Sequence, residues 1–157
     1  ECKIRTSDEL FIEIAAAKEL GKRVVLTNGC FDVIHAGHVS YLREAGALGD
    51  LLVVGVNCDE QVSAQKGEGR PIYCLDERME ILAELQCVSF VVSFPQPTAE
   101  ELIQVVKPHL YVKGGDYSLD EIKEHDVLRE LGIEVRVLSE RPGRSSTDVV
   151  AQLKETH

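Results

Sequence analysis

The chain has 157 residues, of which 44% are hydrophobic and 28% charged, and its formal net charge is −10. This length predicts one domain that buries roughly 68–70% of the surface its unfolded chain exposes, without needing a disulfide or metal. The negative charge disfavours nucleic acid as a partner, and the lack of a long apolar run or a secretion leader predicts a soluble protein without a membrane span.

Strand and helix signals alternate along the chain. In chain order the sequence predicts a helix over 7–20, a strand over 23–28, a helix over 35–48, a strand over 51–57, an irregular loop over 63–74, a helix over 75–85, a strand over 88–94, a helix from about 99 to 107, a strand over 109–115, a helix over 119–131, a strand over 133–138 and a last helix from about 145. The strand at 51–57 is apolar on both faces, as in an interior strand of a parallel sheet.

Capping signals set several of these helix boundaries. Capping boxes are predicted at 6–9, 98–101 and 118–121, each a Ser or Thr followed three residues later by Glu. Gly21 and Gly132 supply C-terminal stops. Five strands separated by helices indicate an α/β fold, a Rossmann-like doubly wound sheet of about five parallel strands with helices on both faces. We expect one domain over 1–157.

The cysteines predict a reducing environment. They are an odd number at wide spacings, without a C-x-x-C pair or a nearby histidine at metal-ligand spacing. Free thiols of this kind suit the cytoplasm. They are Cys2, Cys30, Cys58, Cys74 and Cys87.

The stretch TNGCFDVIHAGHVSYL, residues 27–42, carries the strongest functional signal. A strand ends near Gly29, the chain turns, and His35 and His38 follow at a helix start, where a spacing of three puts both imidazoles on one face. Free N–H groups and the positive end of the helix dipole lie beside them, and Gly37 has no side chain to obstruct a phosphate. This stretch therefore predicts an anion site.

Three further segments follow predicted strands, and ligands bind at the carboxyl ends of strands in such sheets. They are QKGEGRPIY at 65–73, a basic loop without the Walker A pattern; VKGGDY at 112–117; and RPGRSSTDVV at 141–150, a second helix start. Arg78, on the helix after the basic loop, points to the same pocket or pairs with a surface glutamate. Together the segments predict a polyphosphate between two helix N-termini, with a basic loop closing over it.

These motifs resemble the nucleotidyltransferase superfamily that has an H-x-G-H signature, here HAGH, and a Ser/Thr-rich signature before its last helix, here RSST. Within it, the chain from about 22 to 153 is similar to the adenylyltransferases that make ADP-heptose from D-glycero-β-D-manno-heptose 1-phosphate and ATP. The resemblance implies nucleotidyl transfer with release of pyrophosphate. It also implies a homodimer and, in some members, a covalent fusion to a sugar kinase domain.

The resemblance also implies roles for particular residues. His35, His38 and Lys66 are the expected catalytic residues. The expected nucleotide-binding residues are Cys30, Phe31, His35, Gly37, His38, Arg141, Gly143, Arg144, Ser145, Ser146 and Thr147. The expected contacts to the sugar phosphate are Asp32, Asp59, Lys66, Arg78, Lys113 and Asp116. Mg²⁺ is expected to arrive with ATP, because no dedicated acidic cluster is visible in the sequence.

Three alternatives stay open at this point. One is a cytidylyltransferase acting on glycerol 3-phosphate or phosphoethanolamine. The second is a fragment of a class I aminoacyl-tRNA synthetase, disfavoured by the short, acidic chain and the absence of a Lys-Met-Ser-Lys-Ser loop. The third is a nucleotide-binding module without turnover.

Overall fold

A computed structural model describes residues 2–115, 121–138 and 153. Its elements are α1 (Ser7–Glu19), β1 (Val24–Gly29), α2 (Ala36–Gly46), β2 (Leu51–Asn57), α3 (Asp59–Lys66), α4 (Leu75–Ala83), β3 (Phe90–Phe94), α5 (Glu100–Val106), β4 (Leu110–Gly114), α6 (His125–Glu130) and β5 (Glu134–Leu138). In this part of the chain no helix is long and apolar enough to cross a membrane.

The five strands form one parallel sheet in the order β3-β2-β1-β4-β5. The chain moves outward from β1 through β2 to β3 and then crosses back to place β4 on the other side of β1. The topological switch point therefore lies between β1 and β4, where the carboxyl ends of the strands form a crevice. This arrangement confirms the predicted Rossmann-like fold class.

Alternating residues of the strands pack on opposite faces of the sheet. Val24 and Leu26 of β1 contribute to an apolar cluster with α1, α5 and α6, while Val25 contributes to a second cluster with α2 and α4. The period of two in a strand explains this division, and both faces are covered by helices as predicted. At the β3 edge, Ile4 adds a short parallel bridge to Val91.

Three predicted boundaries were wrong. The loop predicted at 63–74 begins with helix, because α3 runs to Lys66 and stops at Gly67, whose φ is +96°. The capping box predicted at 98–101 does not form; the backbone N–H of Ala99 instead donates to the carboxylate of Glu124 at 2.9 Å. The helix predicted at 119–131 begins only at His125 in the described residues. The box at 118–121 and the last helix fall largely outside those residues.

The first capping box forms as predicted and gives a test of local stability. The Thr6 hydroxyl accepts from the N–H of Glu9 at 3.2 Å, and the N–H of Thr6 donates to the Glu9 carboxylate at 2.9 Å. We expect Thr6→Ala to lower the free energy of unfolding by about 1 kcal/mol in urea titrations. Ser7→Ala, one position inside the helix, is the matched control and should change it by less than about 0.5 kcal/mol. Equal losses in both variants would contradict the capping assignment.

Candidate active site

The turn between β1 and α2 is held in an unfavourable backbone conformation. Phe31 and Val33 have φ angles of +50° and +56°, a left-handed conformation that costs a non-glycine residue about 1–2 kcal/mol. Asp32 lies between them, fully buried, and its carboxylate accepts hydrogen bonds from the backbone N–H groups of Ile72 at 2.7 Å and Tyr73 at 2.9 Å. The contacts of Asp32 offset the strain and hold the turn against the 70–73 segment.

Asp32 also forms a buried ion pair with Arg70, with 2.8 Å between Nε and Oδ2. Burial raises the pKa of Asp32, but the hydrogen bonds from Tyr73, Ile72 and Arg70 together outweigh it and lower that pKa below its usual value. Both carboxylate oxygens are therefore engaged inside the fold. These contacts favour a positioning role for Asp32 over the predicted contact with the substrate.

The two signature histidines lie side by side at the N-terminus of α2. His35 is the N-cap, and its Nδ1 accepts from the N–H of Gly37 at 3.0 Å, while the N–H of His35 donates to Nδ1 of His38 at 3.3 Å. The rings stack with centroids 4.0 Å apart. The structure thus brings both imidazoles together, as the spacing predicted, and places the buried Gly37 between them.

His38 is a neutral hydrogen-bond donor at neutral pH. Burial, the neighbouring His35 and the charge of Lys66 lower its pKa from 6.5 to about 4. Since Nδ1 accepts a hydrogen bond, the ring proton lies on Nε2. The ring of Phe31 packs edge-on against that of His38, with the ring centroids 5.6 Å apart. An Nε2–H in such a setting is suited to a phosphate oxygen.

This low pKa predicts a pH dependence of stability. The unfolded chain protonates His38 near pH 6.5 whereas the folded protein does so near pH 4, so the unfolded state binds more protons between these values. The free energy of unfolding is therefore unaffected by His38 above pH 6.5 and falls progressively, by up to about 3 kcal/mol, as the pH is lowered to 4. Urea titrations at pH 7, 6 and 5 should show a steeper loss for the wild type than for His38→Gln. Parallel losses in the two proteins would contradict the lowered pKa.

Arg78 is fully buried beneath the site and connects four segments. Nη1 donates to the backbone carbonyls of Cys30 at 2.7 Å and Asn57 at 2.8 Å, at the ends of β1 and β2. Nε donates to the carbonyl of Tyr73 at 3.0 Å, and Nη2 pairs with Asp59 at 2.7 Å. These contacts favour a positioning role for the fully buried Arg78. Asp59 is about half exposed, and its contact with the sugar phosphate stays a prediction.

Lys66 lies beside the histidines although it is not part of an irregular loop. It is the last residue of α3 and is exposed, and its charge reaches both His38 and Cys30. Burial raises the pKa of the Cys30 thiol, which donates to the amide oxygen of Gln65 at 3.7 Å. The helix therefore delivers a positive charge to the side of the turn that carries the imidazoles.

A cavity of about 210 Å³ opens at the carboxyl ends of the strands around the switch point. It is lined by Asn28, Gly29, Cys30, Asn57, Gln65, Pro97, Lys113, Glu121, Ile122, Lys123 and Glu124. Among the predicted site residues it includes Cys30 and Lys113. It adjoins the turn that carries the histidines, on the side toward α5 and α6.

Tyr111 is fully buried and contacts Asn28, one of the residues that line this cavity. Its hydroxyl donates to Oδ1 of Asn28. Burial, followed by the negative charge of Glu124, raises the pKa of Tyr111 well above its usual value, so the hydroxyl keeps its proton. The group that Asn28 offers to a ligand is therefore its Nδ2 donor.

A larger depression of about 660 Å³ lies at the opposite edge of the sheet, between α1 and the starts of β2 and β3. Leu51 and Phe90 line it. Because ligands of doubly wound sheets bind at the carboxyl ends of the strands, this depression is not the candidate site.

Several predicted site residues fall outside the described part of the chain, namely Asp116, Arg141, Gly143, Arg144, Ser145, Ser146 and Thr147. In the part that the structure describes, no group of three His, Cys, Asp or Glu side chains could hold a metal ion.

Sequence reasoning left Glu124 and Asn57 out of the candidate site. Asn57 had a usable signal, since it is the last residue of an apolar strand and so lies at the binding edge. Glu124 had none, because only tertiary packing brings it to Ala99 and to the cavity.

The chain matches the cytidylyltransferase-like family model over residues 26–152. Among curated proteins it is 47% identical to the bifunctional protein HldE of Ectopseudomonas mendocina over 94% of this chain and 31% of that protein. It is 44% identical to the HldE of Pelobacter propionicus over 100% of this chain and 32% of that protein. The chain thus spans about a third of the length of these relatives.

Two solved structures are similar to the fold. The lipopolysaccharide core biosynthesis protein from Thermoplasma volcanium superposes with a TM-score of 0.64 at 30% identity, covering 77% of this chain and 98% of that one. The pantoate-beta-alanine ligase from Francisella tularensis, complexed with beta-gamma ATP and beta-alanine, gives a TM-score of 0.63 at 14% identity, covering 98% and 77%. At that identity the second likeness concerns the fold alone.

Proposed function

Because the chain belongs to the cytidylyltransferase-like family, we propose that it is a nucleotidyltransferase that transfers AMP from ATP to D-glycero-β-D-manno-heptose 1-phosphate, giving ADP-heptose and pyrophosphate. The observation that carries this proposal is the stacked pair His35 and His38 at the start of α2, beside the switch point of the sheet. The similarity to the lipopolysaccharide core biosynthesis protein and to the HldE proteins supports the choice of a sugar phosphate.

The reaction is an in-line displacement at phosphorus. An oxygen of the sugar phosphate forms a bond to the α-phosphorus of ATP, and the bond from that phosphorus to the β-phosphate oxygen breaks. The leaving pyrophosphate keeps the electron pair. The attacking oxygen is already an anion, so no general base or covalent residue is needed, and the protein contributes positioning and charge neutralisation.

The described residues fit those two tasks. The neutral Nε2–H of His38 can donate to an oxygen of the reacting phosphates, and the positive end of α2 favours the same anion. Lys66 adds a point charge on the same side. Asp32 and Arg78 hold the turn and the ends of β1 and β2, so the donors do not reorganise during the reaction. Mg²⁺ enters as part of the ATP substrate.

The setting of the reaction also follows as a proposal. The relatives are named as bifunctional and are about three times as long as this chain, which supports a fusion to a second activity, for which we propose the sugar kinase. A cytoplasmic location fits the supply of ATP and the five free cysteines. A homodimer remains an expectation from the family resemblance.

The test is release of pyrophosphate by the full chain in a matrix of nucleotides and acceptors. ATP and CTP are each paired with heptose 1-phosphate, glycerol 3-phosphate and phosphoethanolamine. The proposal expects release with ATP and the heptose ester. The family's description makes a cytidylyltransferase the second candidate, and release with CTP alone would favour it. Nucleotide binding without release in any pairing would indicate a binding module.

A further inference from the structure

The side chains that line the cavity at the carboxyl ends of the strands suit an uncharged polar ligand. Among the described residues its charged side chains are two lysines, Lys113 and Lys123, and two glutamates, Glu121 and Glu124, whose formal charges sum to zero. The amides of Asn28, Asn57 and Gln65 complete the polar wall. A balanced wall of this kind favours neither a phosphate nor an ammonium group, whereas amides and paired charges are suitable partners for hydroxyl groups.

Glu124 has a carboxyl oxygen that nothing in the described residues satisfies. The residue is only 3% exposed, and its Oε2 accepts the hydrogen bond from the N–H of Ala99. Its Oε1 is buried without a hydrogen-bond partner, and the residue is one of those that line the cavity. Buried polar atoms in folded proteins are nearly always paired, so an unpaired one at a cavity wall calls for an explanation.

We propose that the cavity receives the hydroxyl-bearing part of the acceptor sugar, and that Glu124 Oε1 accepts a hydrogen bond from one of its hydroxyls. This inference rests on the proposed function and assigns the acceptor half of its site. Glu124 is thus a specificity-determining residue for a polyol acceptor, and the Nδ2 donor of Asn28, at the end of β1, is a second polar group of the same cavity.

The position of the cavity agrees with the acceptor sugar. It reaches Asn57 at the end of β2 and Pro97 after β3. Its volume of about 210 Å³ leaves room for a sugar ring. Cys30 joins this cavity to the turn before the histidines, where the phosphate of the ester would lie.

The experiment measures two dissociation constants by calorimetry on the full chain. The first is for α,β-methylene ATP, which cannot transfer AMP, and the second is for heptose 1-phosphate in its presence. Glu124→Gln keeps an acceptor for the Ala99 N–H and replaces the orphan oxygen with a donor. We expect it to weaken sugar-phosphate binding about 10- to 100-fold, the effect of one hydrogen bond to a charged group, and nucleotide binding less than about twofold.

Two further variants guard against misfolding and indirect effects. Asn57→Ala removes a neighbouring amide of the cavity and should also weaken the sugar phosphate without weakening the nucleotide. Glu130→Gln, exposed on α6 and not part of the cavity wall, is the matched control and should leave both constants unchanged.

Each possible result either supports or overturns the assignment of the cavity to the acceptor sugar. The inference would be overturned if Glu124→Gln and Asn57→Ala left the affinity for the sugar phosphate unchanged. It would also be overturned if these variants weakened nucleotide binding as much as sugar-phosphate binding, because the cavity would then hold the ribose. Failure of the wild type to bind the sugar phosphate, or its preference for phosphoethanolamine, would also overturn it. Selective sugar binding without pyrophosphate release would refute the proposed reaction while supporting this site.

Discussion

His38→Ala is expected to lower kcat by about 10²–10³-fold, the usual effect of removing one donor that stabilises developing charge on the reacting phosphates. The imidazole is neutral near pH 7 because burial, His35 and Lys66 all disfavour its charged form. It therefore acts through its Nε2–H and not as a charge, and KM for ATP should change less than kcat. Steady-state release of pyrophosphate from ATP and heptose 1-phosphate measures both constants.

The loss of activity must be separated from a loss of fold. His38→Gln retains an acceptor for the N–H of His35 and should be folded yet still slow. His109→Ala removes an imidazole at the other edge of the sheet, where Nδ1 accepts from the N–H of Val24. It should lower stability and leave kcat nearly unchanged. Near-normal turnover by a folded His38→Ala would refute the role of this residue.

Arg78→Met is expected to lower the free energy of unfolding by about 3–5 kcal/mol, because it strands several buried hydrogen-bond acceptors. The substitution leaves three backbone carbonyls, those of Cys30, Asn57 and Tyr73, without their donor. Each buried acceptor so stranded costs about 1–3 kcal/mol. Asp59 is about half exposed, so water solvates its carboxylate when Arg78 is removed. Its contribution to the loss of stability is therefore small. Urea unfolding followed by circular dichroism measures the change.

Two further variants test whether the buried hydrogen bonds of Arg78 are responsible for the loss of stability. Arg129→Met removes an exposed guanidinium from α6 and should change stability by less than about 0.5 kcal/mol. Arg78→Lys retains the charge but cannot reproduce the four hydrogen bonds of the planar guanidinium, so its stability should be intermediate. Arg78→Met as stable as Arg129→Met would contradict the assignment of Arg78 as the connector of the site.

The location of the site was predictable because it depends on local signals. The apolar run at 51–57 and the turn before HAGH are readable over a few residues, and parallel strands align their carboxyl ends at one edge. The two histidines lie on one side, as their spacing of three predicts, and the structure adds that their rings stack. The buried contacts of Asp32 and Arg78 were not predictable, since a charged residue near a phosphate site suggests a ligand contact until its partners are known.

By itself the sequence determined the alternation of elements, the parallel sheet, the first capping box and the candidate anion site, because each follows from periodicity or capping within one segment. Only the tertiary structure decided which charged side chains are buried inside the fold and which are exposed. Arg78 meets Cys30, 48 residues away in the chain, and Glu124 caps α5 through Ala99, 25 residues away. Burial and hydrogen-bond partners over such separations are set by packing, and no local pattern of residues encodes them.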